Sequence, residues 1–476
     1  MLSEASRTTP SRWAAGTAEP PRGGALVVRT SPRRSSSPRR AVRAPGVVLR
    51  PRRSAGHPVV VLRRSLDIEP LDVDGWLDET LRDVQEEGGA VFEDGAGVPS
   101  RFEATEGMSA EDVRSGSSCV FCDQSDRAVL QVSGSDRLAF LHNQSTASVE
   151  GSETGDVVET AFVTAKAGII DVATLLIQRE SVLVLASPGN ARALSDHLEK
   201  HVFPRDDVVV SDISSDLAIF SVLGGESDQV LRRLGMGQKI GPKEQVLMNF
   251  QGYPLCVASG GLAFIPGYTW VVDANASVEA WRVLEGMDGV YPVGSDLRDA
   301  LRIGEGVPAV GKEIAIGETN PLEAGLFALV DVDKGCSIGQ EVIKRIHSRN
   351  GITRRLWGLA SENEIREGEA ISLPDGRKVG TLTSARQCAG GDFLGMGYTK
   401  VKVNRETFSA DGESLVVGGT EVKGRALAYP KYPEAEPEEE EDDQESLEEE
   451  EAKAQKKREM EARMQDWLKA NQQPKK

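Results

Sequence analysis

The sequence predicts an α+β protein of several modules that ends in a small antiparallel β-barrel. Between Ala128 and Leu284, strand and helix patterns interleave without the regular βα rhythm of a doubly wound sheet. At Arg355 the texture changes to short runs separated by turn residues such as Pro374, Asp375 and Gly376, the pattern of a closed antiparallel sheet. The 476 residues also exceed what one ordinary core accommodates, so two or three domains plus tails are expected.

Residues 1–66 carry only two acids, Glu4 and Glu19, against a recurring Arg series that includes Arg33, Arg34, Arg39, Arg40, Arg52, Arg53, Arg63 and Arg64. Ser and Pro fill the gaps and no apolar secretory core is present, so the segment reads as an organellar transit peptide; a basic, disordered binding arm is the alternative. Its Ser/Pro content favours the plastid stroma over the mitochondrial matrix. Residues 67–114 are acidic and Gly-rich, with one short strand candidate at Ala90 to Glu93, and are expected as a leader wrapped on the surface.

The main domain is expected over 115–345. A strand at Ala128 to Val132 leads through Gly134 into a helix capped by Ser135, with Leu138 and Leu141 on one face. Strands follow at Glu159 to Thr164, Ile169 to Ile177 and Ser181 to Ala186, then a helix from about Asn190 with Leu194, Leu198 and Val202 inward, ended by Pro204. Next come a strand at Leu217 to Leu223, a helix near Gln229 to Leu234, strands near Leu255 to Val257 and Thr269 to Val272, and a helix at Ser277 to Leu284.

The barrel is expected over 346–430, with strands at Arg355 to Ala360, Ala370 to Leu373, Lys378 to Ser384, Leu394 to Tyr398, Ser414 to Val417 and Val422 to Ala428. From Glu434 to Glu451 the chain is nearly all Glu and Asp, which self-repel and bury too little to fold. Beyond it, Lys453 to Ala470 reads as a solvated tail or a charged docking helix.

The net charge of −18 argues against nucleic acid as a partner, and no apolar run reaches the roughly 18 to 20 residues that span a bilayer. Five cysteines are too few for a disulfide scaffold. Cys119 and Cys122 form a C-x-x-C, a pattern of zinc or redox sites, but no second pair stands at ligand spacing, so no metal is expected and a redox pair is the lesser alternative. His197 and His201 share the spacing of a zinc protease helix, but Leu198 stands where its Glu is required, and two surface imidazoles are expected instead.

The segment Asp333 to Glu341 is the most informative. Cys336 precedes the apolar helical face of Val342, Ile343 and Ile346. A helix N-terminus together with Lys334 would favour thiolate there, and Gly335 and Gly339 would permit a tight turn or close approach of a ligand. A buried, inert small side chain is the competing reading of Cys336. Lys344, Arg345, Arg349, Arg354 and Arg355 make the neighbourhood basic, suited to an acidic partner or a polyanionic ligand, or merely a solvated helix face.

Lys334-Gly335-Cys336-Ser337-Ile338-Gly339-Gln340-Glu341 resembles the K-G-C-[YF]-x-G-Q-[DE] signature of the YgfZ-type branch of the GcvT family, with Ser337 in place of the aromatic. Three other stretches resemble the family in the right order: Phe140 to Thr146 (F-L-x-x-Q-x-T), Ala300 to Gly306 (A-L-R-x-E-x-G) and Asn320 to Leu326 (P-x-E-A-G-L). The resemblance implies an aminomethyltransferase-like fold of three modules around a central tetrahydrofolate channel. It also implies support of iron–sulfur proteins, with the iron–sulfur assembly machinery or its clients as partners.

By the same resemblance, Cys336, Lys334 and Asp171 are candidate catalytic residues, and Asp171, Arg302, Gly335, Gly339 and Gln340 candidate folate contacts. Asp171 stands in the family's G-G-I-[IL]-D-D strand, where Val172 replaces the second acid; a surface Asp at a strand bend is the alternative. Arg302 matches a ligand-contacting position, with a structural salt bridge as its alternative. Gly267-Tyr268-Thr269-Trp270-Val271 resembles G-Y-T-G-E but lacks the pterin-gripping Glu, which counts against the rival reading as a glycine-cleavage aminomethyltransferase. A third reading is a scaffold that keeps the fold without the ligand.

Overall fold

The computed structural model describes residues 79–432, other than 237, 238, 263, 264, 389 and 431. The expected transit segment, the acidic tail and the helix after it lie outside the described residues.

The described chain opens with helix α1 (Leu81–Glu87), strands β1 (Ala90–Val91) and β2 (Arg101–Phe102), helix α2 (Ala110–Arg114) and strand β3 (Cys119–Asp123). From Leu81 on, the segment expected to wrap the surface is part of the body. Val84, Phe102 and Val113 are buried, and Gln85 Nε2 donates to the buried Asp123 carboxylate at 2.8 Å. Its acidic composition concealed three apolar anchors spaced too widely to show a period.

A first module follows: β4 (Arg127–Ser133), α3 (Arg137–Gln144), β5 (Val157–Val163), β6 (Ile169–Ile177), β7 (Ser181–Pro188), α4 (Ala191–Glu199) and β8 (Val209–Asp212). A second repeats the plan: β9 (Leu217–Leu223), α5 (Ser227–Arg233), β10 (Gln245–Phe250), β11 (Tyr253–Ser259), β12 (Gly267–Asp273), α6 (Ser277–Glu285) and β13 (Val290–Pro292). The sheets run β5-β6-β7-β4-β8 and β10-β11-β12-β9-β3-β13, antiparallel except for β3 with β13.

The repeat has a local signature that periodicity alone does not reveal. After β4 and after β9 the chain turns through Gly134 (φ +105°) and Gly224 (φ +119°). A Cβ on either would lie 1.9 Å from Asp207 O or 2.3 Å from Ser118 O, the backbone just ahead of β8 and β3. Only glycine fits such a turn. Asp136, not Ser135, is the N-cap of α3; the Ser135 amide donates to Asp207 instead.

The two sheets meet face to face through Val129, Leu176, Leu183 and Leu185 on one side and Ile219, Cys256 and Val271 on the other. Their outer faces are covered by α3 and α4, and by α1, α5 and α6. Next come α7 (Ser295–Glu305), a largely irregular stretch, and α8 (Gln340–Ser348).

Strands β14 (Arg354–Ser361), β15 (Ala370–Ser372), β16 (Lys378–Gln387) and β17 (Phe393–Lys400) follow, then a small hairpin of β18 (Lys402–Val403) and β19 (Glu406–Thr407). Strands β20 (Ser414–Val417) and β21 (Thr420–Arg425) complete the series. A closed barrel forms in the order β14-β17-β16-β15-β20-β21 around Leu359, Ile371, Leu382 and Leu415. The α+β class and the terminal barrel are as the sequence predicts. Among the described residues, no helix is long and apolar enough to cross a membrane.

Candidate functional site

The loop carrying Cys336 is built from its flanks. Asp331 Oδ1 accepts the amides of Asp333 and Lys334 at 3.0 Å, which sets the turn. Lys334 then runs inward: its buried ammonium donates to the carbonyls of His142 (2.5 Å), Ser145 (2.7 Å) and Ala147 (2.7 Å). Carbonyls at a helix C-terminus lack partners and form its negative pole, so the cation caps α3. Burial pushes its pKa down to about 8, with Asp331 opposing.

The other end is clamped as well. Ile338 N donates to Asn143 O at 3.0 Å, and Gln340 Nε2 to Lys334 O at 2.8 Å. Gly339 has φ +73°, and a Cβ there would stand 2.7 Å from Thr164 O in the β5–β6 turn. Cys336 is exposed between these clamps, and α8 starts four residues later. His142 Nδ1 accepts the Val149 and Glu150 amides at 3.2 and 3.4 Å, so the neutral ring carries its proton on Nε2, the nitrogen 3.7 Å from the position a Cβ on Gly335 would take.

Three sequence expectations change here. Lys334 directs its ammonium to three carbonyls at the end of α3 and makes no bond to the thiol among the described residues. Gly339 and Gln340 do not open the backbone to a ligand; their space and hydrogen bonds serve the clamp. Gly335 alone is exposed with room beside it.

Asp171 is neither a surface residue nor free. It is fully buried and accepts from Val172 N (2.7 Å), Ser187 Oγ (2.6 Å) and Asn190 Nδ2 (2.7 Å). Burial raises its pKa, and these bonds oppose the rise. Neighbouring strand residues point to opposite faces, so Asp171 faces the start of α4 and Val172 the other side, where a bulge at Ile170 also brings Ile169, beside Leu326. The acid position that faces away from the helices is therefore the one occupied by valine. Val271, where the family motif has Glu, is buried between the two sheets.

Arg302 is held by protein groups. Its guanidinium pairs with Asp299 (2.5 Å) and Glu313 (2.9 Å) and donates to Ser384 Oγ (2.8 Å) on β16. It ties α7 to the barrel, and two protein carboxylates already balance its charge.

The cations that sequence reasoning missed lie nearby. Arg298, one turn earlier on α7, makes no side-chain bond among the described residues. Half-buried Arg127 donates only to the carbonyls of Leu185 (2.7 Å) and Ala186 (3.1 Å); burial, then the charge of Arg298, pushes its pKa down to about 10. Asp126 Oδ1 is buried without a partner among the described residues. Arg298 and Asp126 both act on the buried Cys122 thiol, which places them in one neighbourhood. The signal available was the spacing Arg298–Arg302, which puts both on one helical face.

A separate groove of about 460 Å³ lies between Phe102, Met108, Leu297 and Arg386. It holds none of the residues expected for folate.

Cys119 and Cys122, three apart on β3, fall on opposite faces in different cores. Burial pushes the Cys119 pKa up to about 12 and raises that of Cys122. They do not form a pair.

His197 and His201 are half-buried, with ring centroids 4.8 Å apart and ring planes tilted by 55°. Burial first, then His201 and Lys200, push His197 down to about 4. An unfolded histidine protonates near 6.5, so stability is present above that pH and declines as pH falls from about 6.5 to about 4. The melting temperature of His197→Gln, followed from pH 7 to 5, is expected to fall less steeply than that of the parent; identical slopes would exclude His197 as the cause.

The GCVT N-terminal domain family matches residues 81–334. This chain belongs to that family. A protein of Arabidopsis thaliana, described provisionally as a chloroplastic transferase, is 35% identical over 355 residues, covering 74% of this chain and 78% of the relative. An aminomethyltransferase of Chlorobium chlorochromatii is 27% identical over 262 residues, 53% of this chain and 71% of the relative. The crystal structure of glycine cleavage system aminomethyltransferase T from Bartonella henselae superposes with a TM-score of 0.64 at 20% identity, covering 74% of this chain and 98% of that one. The fold is thus aminomethyltransferase-like, and the family match begins at Leu81, within the segment expected as a surface leader.

Proposed function

We propose that this GCVT-family protein binds tetrahydrofolate and supports iron–sulfur cluster assembly or repair in the plastid stroma, in the manner of the YgfZ-type branch. The carrying observation is Cys336. It is the exposed cysteine among five, the others being buried or half-buried, and it stands on a loop clamped at both ends. Such a thiol is available to a partner protein of the iron–sulfur machinery or to a client. The chloroplastic relative supports the plastid, with the mitochondrial matrix as the alternative.

The residues fit folate only in part. Asp171 and Arg302 already have protein partners, but among the described residues Arg298 and Arg127 have no carboxylate in contact and the buried Asp126 Oδ1 has no donor. These would hold a carboxylate tail and a pterin N–H. Bound folate supplies a carrier of one-carbon units; the side chains here supply its binding and orientation.

Relatives named aminomethyltransferase favour a second reading, transfer of the aminomethyl group itself. Val172 and Val271 oppose it, because the two acid positions of the family motifs are apolar. Turnover in a glycine-cleavage assay would establish it.

Calorimetric titration of the chain lacking residues before Asp67 with tetrahydrofolate is expected to show binding. Arg298→Ala should weaken it by about 1.5 to 3 kcal/mol, the range of a charge-assisted hydrogen bond. No heat of binding removes the folate reading. Full rescue of iron–sulfur enzyme activity by Cys336→Ser in cells lacking the protein removes the role of the thiol.

A further inference from the structure

Helix α8 turns Val342, Ile343 and Ile346 to the core and leaves Lys344 and Arg345 exposed, with Arg349 at its C-cap. None of these three cations pairs with a carboxylate among the described residues, whereas Arg354 beside them is held by Glu323 at 2.9 Å. Arg355 is likewise without an ion pair; its guanidinium lies 5.1 Å over the ring of Tyr432, and its Nε is buried without a partner. Glu341 is the only acid on the helix. An exposed cluster of like charge with so little compensation raises the local potential and attracts an acidic ligand.

The end of the described chain is pinned at this cluster. Tyr432 donates to Glu323 O at 2.7 Å and accepts from Leu356 N at 2.9 Å. Its ring packs on Phe327 at 6.1 Å, and Phe327 in turn packs at 6.1 Å on His347 of α8. One aromatic ring therefore separates the exit point of the chain from the basic helix. Two residues later begins a stretch, 434–451, in which 13 of 18 residues are Asp or Glu and none is Lys or Arg. Extended, it reaches roughly 60 Å, while α8 is about 14 Å long. Tethering holds it near the helix at an effective concentration on the order of millimolar.

We propose that the acidic segment 434–451 lies across the basic face of Lys344, Arg345, Arg349 and Arg355, as an intramolecular occupant that an acidic partner must displace. The location of its exit, its reach and its charge single it out over a separate protein. The contact is electrostatic and exposed, so it adds little to folding stability. The contact stands whether or not the protein binds folate.

Zero-length carbodiimide cross-linking of the full chain at low salt tests this, with the joined peptides identified by mass spectrometry. Lys344 is expected to link to carboxylates in 434–451 in clear excess over the exposed Lys200 and Lys378. The links should disappear at 1 M salt, where the Debye length drops from about 8 Å to about 3 Å. The double variant Arg345→Glu, Arg349→Glu keeps Lys344 as reporter and leaves the apolar face intact; the yield at Lys344 should fall several-fold with an unchanged circular dichroism spectrum. Equal labelling of Lys200, or a yield that the double variant does not change, overturns the proposal. So do links that join isotopically heavy and light chains in a mixed sample, because the occupant is then a second copy.

Discussion

Arg302→Ala is expected to lower the stability of the fold by about 3 to 5 kcal/mol, the usual cost of leaving one partner of a buried ion pair unpaired. The Glu313 side chain has no exposed surface. Its carboxylate accepts from Ala309 N (3.0 Å), Thr383 Oγ1 (2.8 Å) and Ser384 Oγ (2.6 Å), but Arg302 is its one ion pair among the described residues. Without Arg302 these hydrogen bonds remain and the counter-charge does not. The same substitution removes the link from α7 to the barrel through Ser384. Urea unfolding measures the loss, and adding Glu313→Gln to the variant should recover part of it, since a neutral amide needs no counter-charge. Unchanged stability together with weaker tetrahydrofolate binding would return Arg302 to the ligand role that the sequence suggested.

Gly339→Ala is expected to cost about 2 to 5 kcal/mol and to loosen the Cys336 loop. A left-handed conformation strains an L-residue by roughly 1 to 2 kcal/mol, and forcing a methyl against packed backbone adds about 1 to 3 kcal/mol. Here φ is +73° and the methyl carbon would sit 2.7 Å from Thr164 O and 3.0 Å from Val163 Cγ2. Hydrogen exchange should quicken at the Ile338 amide, whose bond to Asn143 O depends on the position of the loop. Gln340→Ala offers the comparison: it removes a single hydrogen bond and should cost only about 0.5 to 1.5 kcal/mol. If both variants were equally mild, the loop would be held by Lys334 alone.

The strands were legible because their signal is local. A period of two with turn residues at the ends follows from one strand and its immediate surroundings, so β6, β9 and β20 have the limits expected from sequence and the six barrel strands fall in place. β3 is buried at every residue, and β8 and β10 show no regular alternation of buried and exposed positions, so none of them carries the period; β13 has only three residues. The Lys-Gly-Cys loop was likewise visible as a motif, and with it the family.

Direction and partnership were not legible, because tertiary packing decides them. The identity of residues 171 and 172 is in the sequence; that the carboxylate of Asp171 turns to Asn190 and leaves Val172 on the opposite face depends on where α4 packs. Lys334 beside Cys336 reads as an activating charge until α3, some 190 residues earlier in the chain, ends with three carbonyls within reach of its ammonium. Arg302 finds Glu313 and Ser384 only once the barrel closes against α7. Cys119 and Cys122 are neighbours in the chain and strangers in the fold, since a strand sends residues three apart to opposite faces. A charged side chain takes whichever partner best replaces the water it loses on burial, and that partner is supplied by chain folded back from a distance.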